Sequence, residues 1–295
     1  MVRELASSGI EVSEPRAPRL LCAATDVDGV VSAVDGRVVS AAAALFDGVD
    51  AVVNAAGVTT GLLAPSDVLV GANALLPATL AAATPQLARL IHISSAAVQG
   101  RQPVLRAAGP LQPFNPYSAS KALGEQATQM VSGGRAIVLR PPSVHAPNRR
   151  LTRRVVRLAS SGVAATIAPG TCATPQVHVR NVAAAVRHLV LTAATPPAVI
   201  LQPSEGFTTA GFLHVMGGRK PKLLPRAIGT LAAPLLGLAC RSPAVAQHAR
   251  RAEVLLLGQQ QEQSWLDRDE FRPAVRAVQW GEMAAGIRAG RARSR

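Results

Sequence analysis

Tyr117 stands four residues before Lys121 in the run Pro116-Tyr117-Ser118-Ala119-Ser120-Lys121. On a helix that spacing sets both side chains on one face, a turn apart. An ammonium near a phenol stabilises the phenolate and brings its pKa toward working pH, so the pair suits general acid–base work. A hydroxyl that can hold the oxygen of a reacting group would complete the set. Ser94-Ser95 offers one, with Ser95 lying 22 residues before the tyrosine. Rarity adds weight to the pair, because Tyr117 is the only tyrosine and Lys121 is one of three lysines, with Lys220 and Lys222.

Such a set needs a scaffold that presents strand ends and helix starts to one place. The first half of the chain alternates short β-like runs with alanine-rich helical stretches, the pattern of a parallel α/β sheet. Strands are expected at Asp50 to Val53, Leu90 to Ser94, Ala136 to Leu139 and Ala198 to Leu201. Helices are expected at Ala74 to Leu90, Tyr117 to Val131 and Val179 to Thr195. Ser95 then falls at a strand's carboxyl end, where open α/β sheets bind ligands. After about residue 204 the rhythm weakens into helical stretches, Pro225 to Cys240, Val245 to Gly258 and a last helix around Trp280 to Arg288.

Composition narrows the function classes. With 48% hydrophobic and 16% charged residues among 295, the chain is globular and large enough for a sizeable core. A formal charge of +14 raises nucleic-acid binding, but with 3% aromatic residues few side chains are available to stack on bases, so no nucleic-acid partner is expected. Arginines concentrate at Arg149, Arg150, Arg153, Arg154 and Arg157, along one helical side, and at Arg288, Arg291, Arg293 and Arg295 in the terminal stretch. The first group reads either as a solvated face or as a partner for a phosphate-bearing ligand. The longest apolar run, Ala227 to Cys240, is too short to span a membrane and is expected as a buried helix. Three cysteines without a CxxC pair and six dispersed histidines predict no metal, with His92 a packed core residue. No signal-peptide pattern opens the chain, and a cytoplasmic location is expected.

Several motifs occur in order. They are Gly48-Val49-Asp50-Ala51-Val52-Val53-Asn54-Ala55-Ala56-Gly57, then Asn73, Ile91-His92-Ile93-Ser94-Ser95-Ala96-Ala97-Val98-Gln99-Gly100, the Tyr117–Lys121 segment, Leu139-Arg140-Pro141-Pro142-Ser143-Val144-His145 and Val177-His178-Val179. Together they resemble the extended short-chain dehydrogenase/reductase family, the NAD(P)-dependent epimerase/dehydratase group, closely over about residues 1–205 and loosely beyond. The resemblance implies a Rossmann-type doubly wound parallel sheet with a smaller, mainly helical substrate lobe. Residues 1–144 and 179–203 would form the cofactor domain, and 145–178 with 204–295 the lobe. It implies hydride transfer with Tyr117 as acid/base, Ser95 (chosen over Ser94 by its distance from Gly100) orienting the reacting oxygen, and Lys121 lowering the tyrosine pKa and holding the nicotinamide ribose. Implied cofactor contacts are Arg16, Asp35, Asn54, Ala55, Ala56, Asn73, Tyr117, Lys121 and Pro141. Implied substrate contacts are Ser95, Ser143, His145, Arg149 and His178. NAD or NADP would serve, with NADP slightly favoured because Arg16 could meet a 2′-phosphate.

The chain departs from that family at its start. No Gly-x-x-Gly-x-x-Gly turn is present, and the first glycine is Gly9. Met1 to Gly9 reads as the second half of the first helix and Ile10-Glu11-Val12 as the second strand, so the sheet is expected to be N-terminally truncated, either because the true start lies upstream or because the copy is degraded. Gln99, His145, Ala146 and Arg180-Asn181 also replace residues usual in the family.

Three functions compete. The first is an epimerase, dehydratase or 4-ketoreductase of a nucleotide-linked sugar, which would give Arg149 and its neighbours a diphosphate. The second is a ketoreductase of a hydrophobic small molecule, favoured by the apolar Leu223–Cys240 stretch. The third is a catalytically silent binding protein, favoured by the missing glycine turn. Homodimerisation is a family expectation.

Overall fold

Four short apolar runs build the central sheet of the computed structural model, which describes residues 1–58, 66–242 and 245–292. They are β1 (Ala51–Asn54), β2 (Arg89–Ile93), β3 (Ile137–Arg140) and β4 (Val199–Leu201), all parallel and in the order β1-β2-β3-β4. Val53 lies opposite Ile91, Ile91 opposite Ile137, and Leu139 opposite Ile200.

The period-two alternation of strand side chains divides these residues between two covered faces. Ile91, Leu139 and Ile200 pack with Val182, Val186 and Leu189 of the helix Val179–Leu191. Val52 and Leu90 meet Ala42, Phe46 and Ala81 on the other side, from the helices Gly36–Leu45 and Leu76–Ala83 and their flanks. This is the doubly wound α/β layering expected, built on four strands.

The segment before β1 differs from expectation. Val2–Ala6 is helical and packs on the helix Val179–Leu191, with Glu4 3.8 Å from Arg187. Ile10-Glu11-Val12, however, is not a strand. A lone strand has no ladder to join, and β1 pairs only with β2 among the described residues. The expected helix over residues 74–90 also proves shorter. It begins in a π-helical turn, Gly71–Leu75, continues as Leu76–Ala83 and stops before Pro85.

The second region is mainly helical. Trp280, fully buried, centres a cluster with Phe212, Met216 and Val156 drawn from the helices Ala277–Ala292, Thr209–Gly217 and Arg150–Ala159. Arg226–Ala239 packs on Ala246–Leu257. The expected burial of the Ala227–Cys240 stretch does not hold. Gly229, Gly237 and Cys240 face inward, whereas Ile228, Leu231, Leu235 and Leu238 are exposed. Of the terminal arginines, Arg293, Arg295 and the side chain of Arg291 lie outside the described residues.

Candidate active site

The helix Pro116–Val131 starts where its sequence says it should. Asn115 accepts a hydrogen bond from the Ser118 amide at 2.8 Å, the Ser118 hydroxyl oxygen accepts one from the Asn115 amide at 3.1 Å, and Pro116 occupies the first turn. Capping fixes the first turn, and hence Tyr117, against the end of β2. The helix approaches the π-helical turn closely, since a Cβ on Gly124 would sit 2.0 Å from the Asn73 carbonyl oxygen. Lower down, the guanidinium of Arg140 donates to both carboxylate oxygens of Glu125, at 3.0 Å and 2.6 Å, in a pair that is almost fully buried. The helix is thus clamped to β3 as well.

Tyr117, Ser95 and Lys121 share the wall of one cavity of about 450 Å³ at the carboxyl end of the sheet. Ser95 begins the short 3-10 turn Ala96–Gln99, and its oxygen accepts from the Ala97 amide at 3.2 Å. Burial raises the phenol of Tyr117 above its ordinary value. A hydrogen bond from Ser95, then the cations Arg149 and Arg251, act in the opposite direction. Lys121 donates to the Ile93 carbonyl at 3.1 Å, and burial lowers its ammonium to about 8 while Glu125 favours the charge. The cations that act on the phenol are therefore the two arginines.

Asn73 ties the loop after β1 to this helix. Its side chain accepts from the Val58 amide and donates to the Val58 carbonyl and to the Ser120 hydroxyl, each at 3.0 Å. Gly57 fits between them, because a Cβ there would lie 2.8 Å from Asn73 Oδ1 and 3.2 Å from Lys121 Nζ. Asn54 accepts from the Ala56 amide at 3.0 Å and contacts His92 at 3.2 Å. Both asparagines stand behind the wall, while Ala55, Ala56 and Pro141 line the cavity itself. His92 is buried, held well below its usual pKa by burial and next by Lys121, as a core histidine would be.

On the lobe side, Ser143, His145 and Arg149 line the cavity. His145 contacts Gln176 Oε1 at 2.9 Å, and its other ring nitrogen faces Thr152 Oγ1 at 3.3 Å. Burial lowers it to about 4, so it is neutral, with Nε2–H donating to the amide oxygen. Arg149 donates to the Val144 carbonyl at 2.8 Å. Of the arginines on the helix Arg150–Ala159, Arg150, Arg153, Arg154 and Arg157 are exposed, and only Arg149 at its start reaches the cavity.

Three expected contacts stand apart. Arg16 is exposed and outside the cavity lining, and so is Asp35, whose carboxylate caps the helix Gly36–Leu45 by accepting from Arg37 at 2.7 Å. Both precede β1, where no strand positions them. His178 likewise caps a helix, accepting from the Arg180 amide at 3.2 Å while its ring meets Trp280.

Sequence reasoning missed Arg250 and Arg251, both on the cavity wall. Arg250 donates to Glu253 at 2.6 Å, and its Nη2 is buried with no partner. Arg251 is pushed below its ordinary value by burial, then by Arg154 and Arg149. The signal available was the Arg-Arg doublet itself, in a helix with no local carboxylate before Glu253.

A family model for the NAD dependent epimerase/dehydratase family matches residues 1–200. The chain belongs to the NAD-dependent epimerase/dehydratase family. No curated protein sequence matches this epimerase/dehydratase-family chain. Its fold is similar to human epimerase family protein SDR39U1 with NADPH (TM-score 0.60, 18% identity, 96% of this chain and 94% of that one). It is also similar to RMD from Pseudomonas aeruginosa complexed with NADPH (TM-score 0.58, 16% identity, 98% and 94%). A third is UDP-glucuronic acid 4-epimerase from Bacillus cereus in complex with NAD (TM-score 0.56, 15% identity, 88% and 79%).

Proposed function

We propose that this chain is an NAD(P)-dependent enzyme that moves a hydride at a carbinol or carbonyl carbon of a nucleotide-linked sugar, as an epimerase, dehydratase or 4-ketoreductase. One observation carries the reading: Ser95, Tyr117 and Lys121 share a cavity wall with Arg149, Arg250 and Arg251 lining the same space. Family membership and the nucleotide-sugar epimerase among the similar folds support it.

The residues present fit the nicotinamide end of the cofactor. Gly57 leaves room beside Lys121 Nζ, Pro141 offers a flat apolar contact, and Lys121 can donate to a ribose hydroxyl. A bound nicotinamide supplies the hydride acceptor or donor at its C4. Tyr117 would take or give the proton on the reacting oxygen, Ser95 would hold that oxygen, and Arg149 and Arg251 would stabilise the phenolate. The lean toward NADP rested on Arg16, whose place outside the cavity leaves NAD and NADP equally supported. Residues 1–144 and 179–203 would hold the cofactor, and 145–178 with 204–295 the substrate.

A ketoreductase of a hydrophobic ketone is the second reading, favoured by the aliphatic wall of Leu151, Val155, Val254 and Leu255. Turnover of a panel of nucleotide sugars against hydrophobic ketones, with NAD and NADP, separates the two. Activity confined to the ketones would overturn the first reading.

A further inference from the structure

The helix Arg226–Ala239 shows the solvent an apolar face that nothing among the described residues covers. Ile228, Leu231, Leu235 and Leu238 follow one another at three- and four-residue steps and are 41%, 69%, 66% and 62% exposed. That spacing lines them along one side of the helix. Leu223, on the preceding strand Lys222–Leu224, is also 54% exposed. The opposite side is anchored, with Gly229 against Ile167 and Gly237 against the Arg101 guanidinium.

Along this stretch of the chain the charge has a single sign. From Gly206 to Ala252 the sequence holds no Asp or Glu, while Arg219, Lys220, Lys222, Arg226 and Arg241 bracket the helix. All five are exposed. Two of the three lysines of an arginine-rich chain fall in this short stretch. Glu253, the next carboxylate along the chain, is buried and held by Arg101 and Arg250.

We infer that this face is a docking site for an anionic lipid surface, with the leucine stripe lying in the acyl boundary and the flanking lysines and arginines on the headgroups. The pairing of an apolar stripe with an all-cationic rim matches the chemistry of an interfacial helix. Basic residues beside an anionic membrane add attraction that falls off within a Debye length. No described helix is long and apolar enough to cross the bilayer, so the contact is peripheral. A second copy of the chain is the poorer occupant, because a two-fold contact sets each cationic rim against its own kind. The helix packs on Ala246–Leu257, which carries Arg250 and Arg251 to the cavity, so docking holds the cavity one helix from the lipid.

The test is co-sedimentation of the full chain with vesicles of phosphatidylcholine alone and of phosphatidylcholine mixed with phosphatidylglycerol. The chain should pellet with the mixed vesicles and remain largely in solution with the neutral ones, and added salt should weaken the binding. Leu231→Gln with Leu235→Gln should weaken it roughly tenfold or more, which corresponds to about 1.4 kcal/mol. Lys220→Glu with Lys222→Glu should do the same by reversing the charge at two positions of the rim. Both pairs change exposed side chains, so thermal melting should stay near that of the parent. Absence of the unaltered chain from the mixed-vesicle pellet, or equal pelleting of the leucine pair, would overturn the inference. So would a concentration-dependent dimer that the leucine pair abolishes.

Discussion

Lys121 donates to the carbonyl of Ile93 at 3.1 Å, binding the helix that carries Tyr117 to the strand that leads to Ser95. The bond ties the two elements together and gives the buried ammonium an acceptor. Lys121→Met removes that bond and the charge together. Turnover should fall by about 10²-fold or more, within the range of lost acid–base assistance. Steady-state kinetics checks this, and unchanged turnover would remove Lys121 from the mechanism.

Gly57→Ala tests the close fit beside that lysine. The new methyl would meet Asn73 Oδ1 at 2.8 Å, an atom already held by the Val58 amide. Overpacking of this kind costs about 1–3 kcal/mol, so melting should drop and cofactor affinity with it. Gly36→Ala, where nothing lies within 4 Å, is the matched control and should leave both nearly unchanged.

The buried Glu125–Arg140 pair should be costly to break. Glu125→Ala leaves a guanidinium with 5% side-chain exposure facing no carboxylate. About 3–5 kcal/mol of stability should be lost by urea unfolding. A loss below about 1 kcal/mol, the worth of an exposed pair, would show that the site is wetter than the structure has it.

Burial holds His145 at about 4 against 6.5 for the free side chain. Between those values the unfolded chain binds more protons than the folded one, so stability falls as pH drops from 6.5 toward 4 and the loss levels off below. The size is about 3 kcal/mol. Stability measured across that window should slope less steeply for His145→Gln than for the parent. An equal slope would place the titration elsewhere.

Much of this was legible in the residues. The helix Pro116–Val131 could be read because its leading proline and its tyrosine–lysine spacing lie within a few residues. The four strands were legible as apolar runs between turns. Ile10-Glu11-Val12 misled because a strand needs a neighbour, which a local run does not reveal. Arg250 and Arg251 reach the cavity through a helix more than a hundred residues from Tyr117, and the orphaned Nη2 of Arg250 exists only after packing. The helix Arg226–Ala239 was recognised as apolar, but periodicity cannot say whether its leucines meet protein or solvent. His178 and Asp35 matched by position, yet capping claimed their side chains.

Arg251→Ala should raise KM for a substrate bearing a phosphate or carboxylate by about tenfold or more and leave KM for a neutral ketone nearly unchanged, because a charge-assisted hydrogen bond is worth about 1.5–3 kcal/mol, while the lost support of the phenolate lowers kcat for both. Kinetics on both substrate types checks it, and an equal rise of the two KM values would remove Arg251 from anion binding.

The most direct test of the central claim is the single-turnover rate of hydride transfer, followed by nicotinamide absorbance, in the parent and in Tyr117→Phe. The altered chain should bind cofactor normally and transfer hydride at least about 10²-fold more slowly. Transfer at the parent's rate would contradict the assignment of Tyr117 as the acid/base.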